Sequence, residues 1–539
     1  MGAKNILFIM CDQLRWDYLG CTGHKTIKTP HIDALAARGV NFERAYVQSP
    51  ICGPSRMSFY TGRYVRSHGS TWNNAPLRVG EMNIGDHLNP LGMRAVLCGK
   101  THMAADLEGM ARLGIDPKSR IGAAVAECGF ESWDRLDGLH PAKGKKRPQY
   151  YNQFLNDQGY DGPNPWESWA NSADGDGTEL LSGWLMAHAD KPARVKAEHS
   201  ESAYTTDRAI EFMQQAGDQP WCLHVSYIKP HWPYIAPSPY HGMYTADDVQ
   251  PVSRDPAEKD DPHPVLGGFY QHRVSKVYDR DGVREHLIPA YMGLISQIDD
   301  QIGRIVDYLE HTGQTEQTMI VFTSDHGDYL GDHWLGEKEL FHEQSVRIPL
   351  IIMDPSPSAD ATRGTATKTL VEAIDLLPTF VEVAGGQVAD HILEGKSLLP
   401  ILRDPDAKPL RDYVISEYDY AYRRARKLLG KEIKDCRLQM IFDGRWKLIA
   451  ASGYRPMLYD HETDPDEFQD LGALEQYRPV VDRMMARLLD WATLHHNRVT
   501  RSDEQVEAIG GSEYQYGIRI GFWDEADEAQ AEAEGHGGN

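Results

Sequence analysis

Three things are scarce in this 539-residue chain. No run of about 18 apolar residues occurs, which excludes a membrane-spanning helix. The apolar stretch Ile6-Leu7-Phe8-Ile9-Met10 is too short for a signal-peptide core and lacks a small-residue cleavage site after it, so it reads as a first strand. The myristoylation pattern also fails, because Ile6 stands where Ser or Thr is required. Positive charge is scarce as well: 56 Lys and Arg face 79 Asp and Glu, a net charge of −23. Such a field repels nucleic-acid backbones and anionic membrane surfaces, so neither is expected as a partner. Any anionic substrate must meet a local cationic pocket. Paired cysteines are the third absence. Cys11, Cys21, Cys52, Cys98, Cys128, Cys222 and Cys436 are odd in number, scattered, and contain no Cys-x-x-Cys. They are expected to be reduced thiols in a cytoplasmic protein. Cys11, Cys98 and Cys222 lie in apolar, strand-like runs and serve as small hydrophobes; the neighbours of Cys52 argue for chemistry.

What is present is patterned. With 41% hydrophobic residues the chain can bury one large core and a smaller second one. Strand-like runs at 5–10, 93–98 and 221–228 alternate with helix-like runs such as 32–38, which predicts an α/β sheet wrapped by helices. Leu294, Ile298, Ile302, Ile305 and Leu309 predict a helix over 291–309 that crosses over into a parallel strand at 318–323. Residues 141–196 and 250–264, rich in Gly, Asp and Pro, read as loop insertions covering a pocket. The first domain is expected to span 1–405. A second, 406–500, carries short alternating runs at 438–442 and 446–449 that predict a small antiparallel sheet, with a helix over 480–495. Residues 501–539 read as an aromatic arm (514–523) making an oligomer contact, followed by a disordered acidic tail.

Two acid-bearing pairs follow strand-like runs, Asp12-Gln13 and Asp325-His326. Either alone could be a turn or a helix cap. Ligands bind at the carboxyl ends of parallel strands, so the two pairs could meet at one site and offer oxygen, oxygen and nitrogen to a divalent cation.

Residues 52–62 read Cys-Gly-Pro-Ser-Arg-Met-Ser-Phe-Tyr-Thr-Gly. This run resembles the sulfatase signature, whose Cys-x-Pro-x-Arg core directs conversion of the cysteine to formylglycine; Cys52, Pro54 and Arg56 match it. Further stretches are similar to the family's motifs: 29–36, Gly99-Lys100-Thr101-His102, Lys229-Pro230-His231-Trp232-Pro233-Tyr234, Ser324-Asp325-His326-Gly327 through Lys338, 345–350 and 458–465. The resemblance implies an α/β fold of the alkaline phosphatase superfamily, a central mixed sheet flanked by helices with a smaller C-terminal α+β domain. It also implies a formylglycine-generating enzyme as a partner, and one divalent metal held by Asp12, Gln13, Asp325, His326 and position 52. In that chemistry the hydrated aldehyde attacks sulfur or phosphorus, and its second hydroxyl then expels the bound group. By resemblance Arg56 and His102 hold the diol, His102 triggers the expulsion, Lys100 and Lys338 clamp nonbridging oxygens, and His231 assists the leaving oxygen. His24, His68, His333 and His342 lie outside this assignment.

The pattern departs from many sulfatases, which carry Asp-Asp and Asp-Asn at the two pairs. An imidazole ligand shifts preference toward manganese, with calcium or zinc as other possibilities. This version resembles phosphonate monoester and phosphodiester hydrolases, yet those replace the Gly-Lys-x-His loop with neutral residues, whereas Lys100 and His102 are kept here. The expected activity is therefore arylsulfatase-type hydrolysis of sulfate monoesters, promiscuous toward phosphonate monoesters and phosphodiesters, in a dimer or tetramer. The alternatives are a phosphonate monoester hydrolase, a choline sulfatase, a hydrolase using a Cys52 thiolate, or a sulfate-ester binder without turnover.

Overall fold

The computed structural model describes residues 3–138, 150–176, 179–494, 499–509 and 516–533. Eight strands build the central sheet: β1 (Asn5–Asp12), β2 (Val40–Phe42), β3 (Arg94–Gly99), β4 (Glu131–Arg135), β5 (Trp221–Pro230), β6 (Thr318–Ser324), β7 (Leu350–Met353) and β8 (Thr365–Thr367). Their spatial order is β8-β2-β7-β6-β1-β5-β3-β4. The five strands from β6 to β4 run parallel, and β7 runs antiparallel to both its neighbours, so the sheet is mixed. β1 lies between β6 and β5 with every residue buried. Burial on both faces is why its sequence shows an unbroken apolar run instead of alternation.

Helices α1 (Pro30–Arg38), α2 (Cys52–Thr61), α3 (Glu201–Gln215) and α4 (Val283–His311) cover the two faces. Leu7, Ile9 and Cys11 of β1 share a core with Ile32, Phe212, Ile298 and Ile302 from α1, α3 and α4. Ile6, Phe8 and Met10 point the other way, into a core with Met57, Phe59 and Tyr60 of α2. The period of two along one strand thus fastens both helical layers. Helix α4 includes the predicted 291–309 but starts at Val283, through Pro289. The charged and proline-containing start breaks the apolar spacing that marks its later turns.

Residues 141–196, expected as loops, carry order of their own outside 141–149 and 177–178, which fall beyond the described residues. They form a helix Tyr150–Asp157 and a hairpin pairing Ser172–Asp174 with Leu180–Ser182. Tyr151, Leu155, Trp166, Ala173 and Val195 make a separate core that seats on Ile228 and Ile235. Those two residues flank the segment that carries His231.

Four antiparallel strands, β9 (Val414–Asp419), β10 (Arg437–Phe442), β11 (Trp446–Ala451) and β12 (Met457–Asp460), follow in chain order. Ile415, Ile441, Leu448 and Leu458 pack under α5 (Arg478–Leu494) through Val481, Met484, Leu488 and Trp491. Leu438, Met440 and Ile449 on the opposite face join the core of α2. The acidic run expected to be disordered is helical over Glu525–Ala533, in keeping with its Ala and Glu content; residues 534–539 lie outside the described set. Trp523 of the arm is 90% exposed. Among the described residues no helix is long and apolar enough to cross a membrane.

Lys447 on β11 ties the small sheet to the segment that joins β6 to β7. Its fully buried ammonium meets Glu343 at 2.8 Å, Glu467 at 2.7 Å and the Phe341 carbonyl at 3.0 Å. Removing one partner of a buried pair strands the other charge, at a cost of about 3–5 kcal/mol. Lys447→Met is therefore expected to lower the urea midpoint sharply, and adding Glu343→Gln and Glu467→Gln to recover most of the loss. A midpoint that stays put in the single variant refutes this linkage.

Candidate active site

The site grows from two neighbouring strand ends. β1 and β6 pair in parallel with Cys11 opposite Ser324, so the next residues, Asp12 and Asp325, emerge side by side. Past Asp12 the chain turns through a left-handed residue, Gln13 at φ 68°, whose amide N–H donates to Asp325 Oδ1 at 3.0 Å. A side chain accepts that conformation at some strain. Beyond the turn the Gln13 side chain meets Lys338, Tyr234 and Asp328.

Helix α2 delivers the candidate nucleophile. Cys52 is its first residue, preceded by Ile51 in extended conformation, so the sulfur sits at the electropositive end of the helix. The Gly53 N–H donates to Asn73 Oδ1 at 2.7 Å. Cys52 Sγ lies 3.2 Å from His326 Nε2, 3.5 Å from Lys338 Nζ and 3.7 Å from Asp12 Oδ1. Burial alone would raise this thiol; Lys338, then Lys100 and His326, and a hydrogen bond with His102 hold it well below its ordinary value.

Arg56, one turn further along α2, is fully buried. Its Nε donates to Asp325 Oδ2 at 2.8 Å and one terminal nitrogen to Asp12 Oδ2 at 3.3 Å. The other terminal nitrogen donates to the Lys100 carbonyl at 2.8 Å and to Ser226 Oγ at 2.7 Å. One guanidinium thus joins α2 to the ends of β1, β6 and β3 and to the middle of β5.

The loop after β3 starts at Gly99, where φ is 111° and a Cβ would stand 2.0 Å from the Ser226 carbonyl oxygen. Only glycine fits there. Lys100 then turns inward and forms an ion pair with Asp12. His102, at φ 56°, is held by its own N–H and that of Thr101, both donating to Asp137 Oδ1 at 2.9 Å. Burial opposes ionisation of Asp137, but Arg135 and these two N–H groups lower its pKa to about 2. A charged Asp137 therefore fixes the loop across the working pH range.

His231 follows β5, and its Nδ1 pairs with the Trp232 carbonyl at 3.0 Å, leaving Nε2 for the site. Burial, then Lys338, lowers its pKa, while Asp12 and Cys52 pull the other way. Buried Lys229 braces this loop through the Pro233 carbonyl at 2.8 Å and Glu201 at 3.3 Å. Lys338 donates to Gln13 Oε1 at 2.7 Å; burial opposes its charge, but Cys52 and nearby acids raise its pKa.

All ten residues singled out in the sequence lie in this one region, nine of them buried and His102 partly exposed. The ligand atoms of Asp12, Cys52, Asp325 and His326 fall within 4.8 Å of one another. These donors fit a divalent cation. The Nδ1 of His326 faces the Gly327 carbonyl at 2.9 Å, which directs Nε2 to the site as a lone pair. Burial disfavours a charged His326, yet Asp325 and Cys52 raise its pKa, so the pocket stabilises positive charge at that nitrogen.

Sequence reasoning missed Asn73, Asp137, Ser226, Tyr234, Asp328 and Arg423. Asp328 follows Asp325 by three residues and Tyr234 closes the motif of His231; both hold the Gln13 side chain. Arg423 crosses from the C-terminal side to lie 5.3 Å from the Trp72 ring centre and 3.6 Å from Glu337, at the rim. No local signal marks Asn73 or Arg423. The four histidines left unassigned have structural partners, as in the His68 contact with Ser58 Oγ at 3.0 Å and the stacking of His333 on His342 at 4.0 Å.

Comparison with known proteins agrees with this geometry. The Sulfatase family model matches residues 4–386, and a model for the N-sulphoglucosamine sulphohydrolase C-terminal region matches 331–493. The multifunctional alkaline phosphatase superfamily protein PehA of Trinickia caryophylli is 31% identical over 520 residues, covering 92% of this chain and 97% of that protein. A choline-sulfatase of Rhizobium meliloti is 28% identical, covering 89% and 84%. The phosphonate monoester hydrolase SpPMH from Silicibacter pomeroyi superposes with a TM-score of 0.79 at 27% identity, over 93% of this chain and 98% of that one. Its two strand-end acid pairs, its signature helix and these matches together make the chain a member of the sulfatase family of the alkaline phosphatase superfamily.

Proposed function

We propose that this hydrolase acts on sulfate monoesters, with phosphonate monoesters and phosphodiesters as secondary substrates, through a formylglycine formed from Cys52. The observation that carries the reading is the pair of buried ammonium groups, Lys100 and Lys338, beside position 52. A transferring sulfonate group has three equivalent oxygens. A bound cation and the two lysines would match them, whereas a phosphonate or a diester puts a carbon or an ester oxygen at one of the three positions. A second reading, phosphonate monoester hydrolysis as the main activity, is favoured by Gln13 and His326 among the donors and by the likeness to SpPMH.

Asp12, Gln13, Asp325 and His326 would hold the divalent ion, manganese by the imidazole in the set. When bound, such an ion lowers the pKa of a coordinated hydroxyl and neutralises charge on the transferring group. The aldehyde hydrate at position 52 supplies two hydroxyls, one to attack and one to release the product. Arg56 holds both acids in place, and Lys100, then His231 and Arg56, keep Asp12 ionised against the cost of its burial. His102, braced by Asp137, takes the proton from the second hydroxyl. His231 Nε2 faces the leaving oxygen. A Cys52 thiolate hydrolase would need no metal donors, and a binder without turnover would have lost one. The formylglycine-generating enzyme is the partner this reading requires; seven unpaired cysteines support a cytoplasmic setting and the exposed Trp523 arm supports a homo-oligomer.

Lys100→Ala is expected to lower kcat on an aryl sulfate by about 10²–10³, the cost of losing one preorganised charge donor. Its effect on a phosphonate monoester should be far smaller, measured beside choline sulfate in one assay series. Equal losses on both esters count against the sulfatase reading. His231→Ala should slow esters of alkyl alcohols by about 10²–10⁴ while barely touching nitrophenyl esters, since only poor leaving groups need the proton. Losses independent of leaving-group acidity remove His231 from that role. Active enzyme should resist thiol alkylation and lose activity to chelators. Its tryptic peptide 45–56 should show sulfur replaced by a carbonyl oxygen, and an intact thiol there in fully active protein refutes the mechanism.

A further inference from the structure

We propose that Tyr234 and Asp328 are positioning residues that orient the Gln13 amide so that its oxygen alone faces the metal. This rests on the assignment of Gln13 as a ligand.

A carboxylate presents oxygen whichever way it turns, but an amide has one acceptor end and one donor end of nearly equal shape. Turned over, Gln13 would aim two N–H groups at a cation. The surroundings forbid this. Lys338, which can only donate, lies 2.7 Å from one end of the amide, so that end is Oε1. At the other end Nε2 donates to Tyr234 Oη at 3.0 Å and to Asp328 Oδ2. The Tyr234 hydroxyl in turn donates to the same Asp328 oxygen. Gln13 and Asp328 have no exposure and Tyr234 has 2%, so water cannot replace these partners.

Asp328 is needed as a double acceptor. Its Oδ1 takes the Leu330 N–H at 2.9 Å while Oδ2 takes the amide and the phenol. An asparagine there must present its NH2 either to the Leu330 N–H or to the Gln13 NH2, donor against donor on one side or the other. The backbone of Gln13 is fixed as well, since Tyr291 Oη donates to its carbonyl at 2.8 Å and accepts the Arg15 N–H at 3.0 Å. With main chain and side chain both clamped, Gln13 is presented in one orientation despite its left-handed turn.

The test is Mn²⁺ affinity, measured by chelator competition and by metal content after dialysis, at pH 8. Asp328→Asn is expected to weaken Mn²⁺ binding by about 10-fold or more, as changes behind metal ligands do. Gln13→Glu should also weaken it, because the new carboxylate faces Asp328. Combined, the two changes should restore affinity, since the asparagine NH2 then donates to the glutamate while its oxygen keeps the Leu330 N–H. Loss of a nearby negative charge would alone weaken Mn²⁺ binding in both backgrounds, so a reversal of sign separates orientation from charge. Weakening by Asp328→Asn in both backgrounds overturns the proposal. If Gln13→Ala binds Mn²⁺ as the parent does, the ligand assignment itself falls. Should Asp328→Asn fail to fold, Tyr234→Phe, which removes a hydroxyl alone, decides: several-fold weaker Mn²⁺ binding supports the clamp and unchanged binding refutes it.

Discussion

A single buried guanidinium sets the geometry of this protein. Arg56 is removed from water between two carboxylates, and such a charge is tolerated only where its donors are met. Here the fork meets Asp12, Asp325, the Lys100 carbonyl and Ser226. Those partners sit at the ends of three parallel strands and within a fourth, so α2 can dock against the sheet in one position. Cys52, one turn before Arg56 on the same helix, is thereby held within 4 Å of Asp12 and His326. A lysine could supply the charge but not the planar, several-directional contact.

The same residue shapes the electrostatics. Three full cations (Arg56, Lys100 and Lys338) stand against the two carboxylates Asp12 and Asp325 at the heart of a chain whose net charge is −23. The outer field discourages polyanions, while the buried pocket favours a small anion. Arg56 is consumed by the acids. On the proposed reading the lysines are the groups whose charge a substrate would meet, and their neighbours hold them: Lys100 leans on Asp12, and Lys338 bridges Gln13 and position 52.

Much of this was legible in the sequence wherever function is encoded within one strand end, one helical turn or one short loop. Asp12 and Asp325 lie far apart in the chain, yet each follows an apolar strand, and the rule that parallel strands bind ligands at their carboxyl ends brings them together. Cys52 and Arg56 share a turn of α2, and Lys100 and His102 share a loop. The central sheet and the small antiparallel sheet were legible for the same reason, as periodic runs. What escaped depends on pairing across the chain. Asn73, Asp137 and Arg423 earn their places by meeting α2, the His102 loop and the Trp72 rim in space. The core around Tyr151 and Trp166 was hidden because its aromatic residues are spread among Gly, Asp and Pro, without a period to reveal them.

Gln13, as the proposed ligand, shows how a ligand change moves information outward from a metal site. Many sulfatases carry an acid at this position, which needs no orientation and contributes a negative charge. A neutral amide gives up that charge, so the site attracts its cation less strongly but presents a more positive face to an incoming anion. It also needs a partner set that tells its two ends apart. In this fold the discriminating groups are a donor-only lysine on one side and an acceptor carboxylate with its tyrosine on the other. On the proposed assignment, Asp328 and Tyr234 would act on the metal through Gln13 without being donors themselves. A relative that shared the four donor residues without them would present the same ligands with less control over which amide end faced the ion.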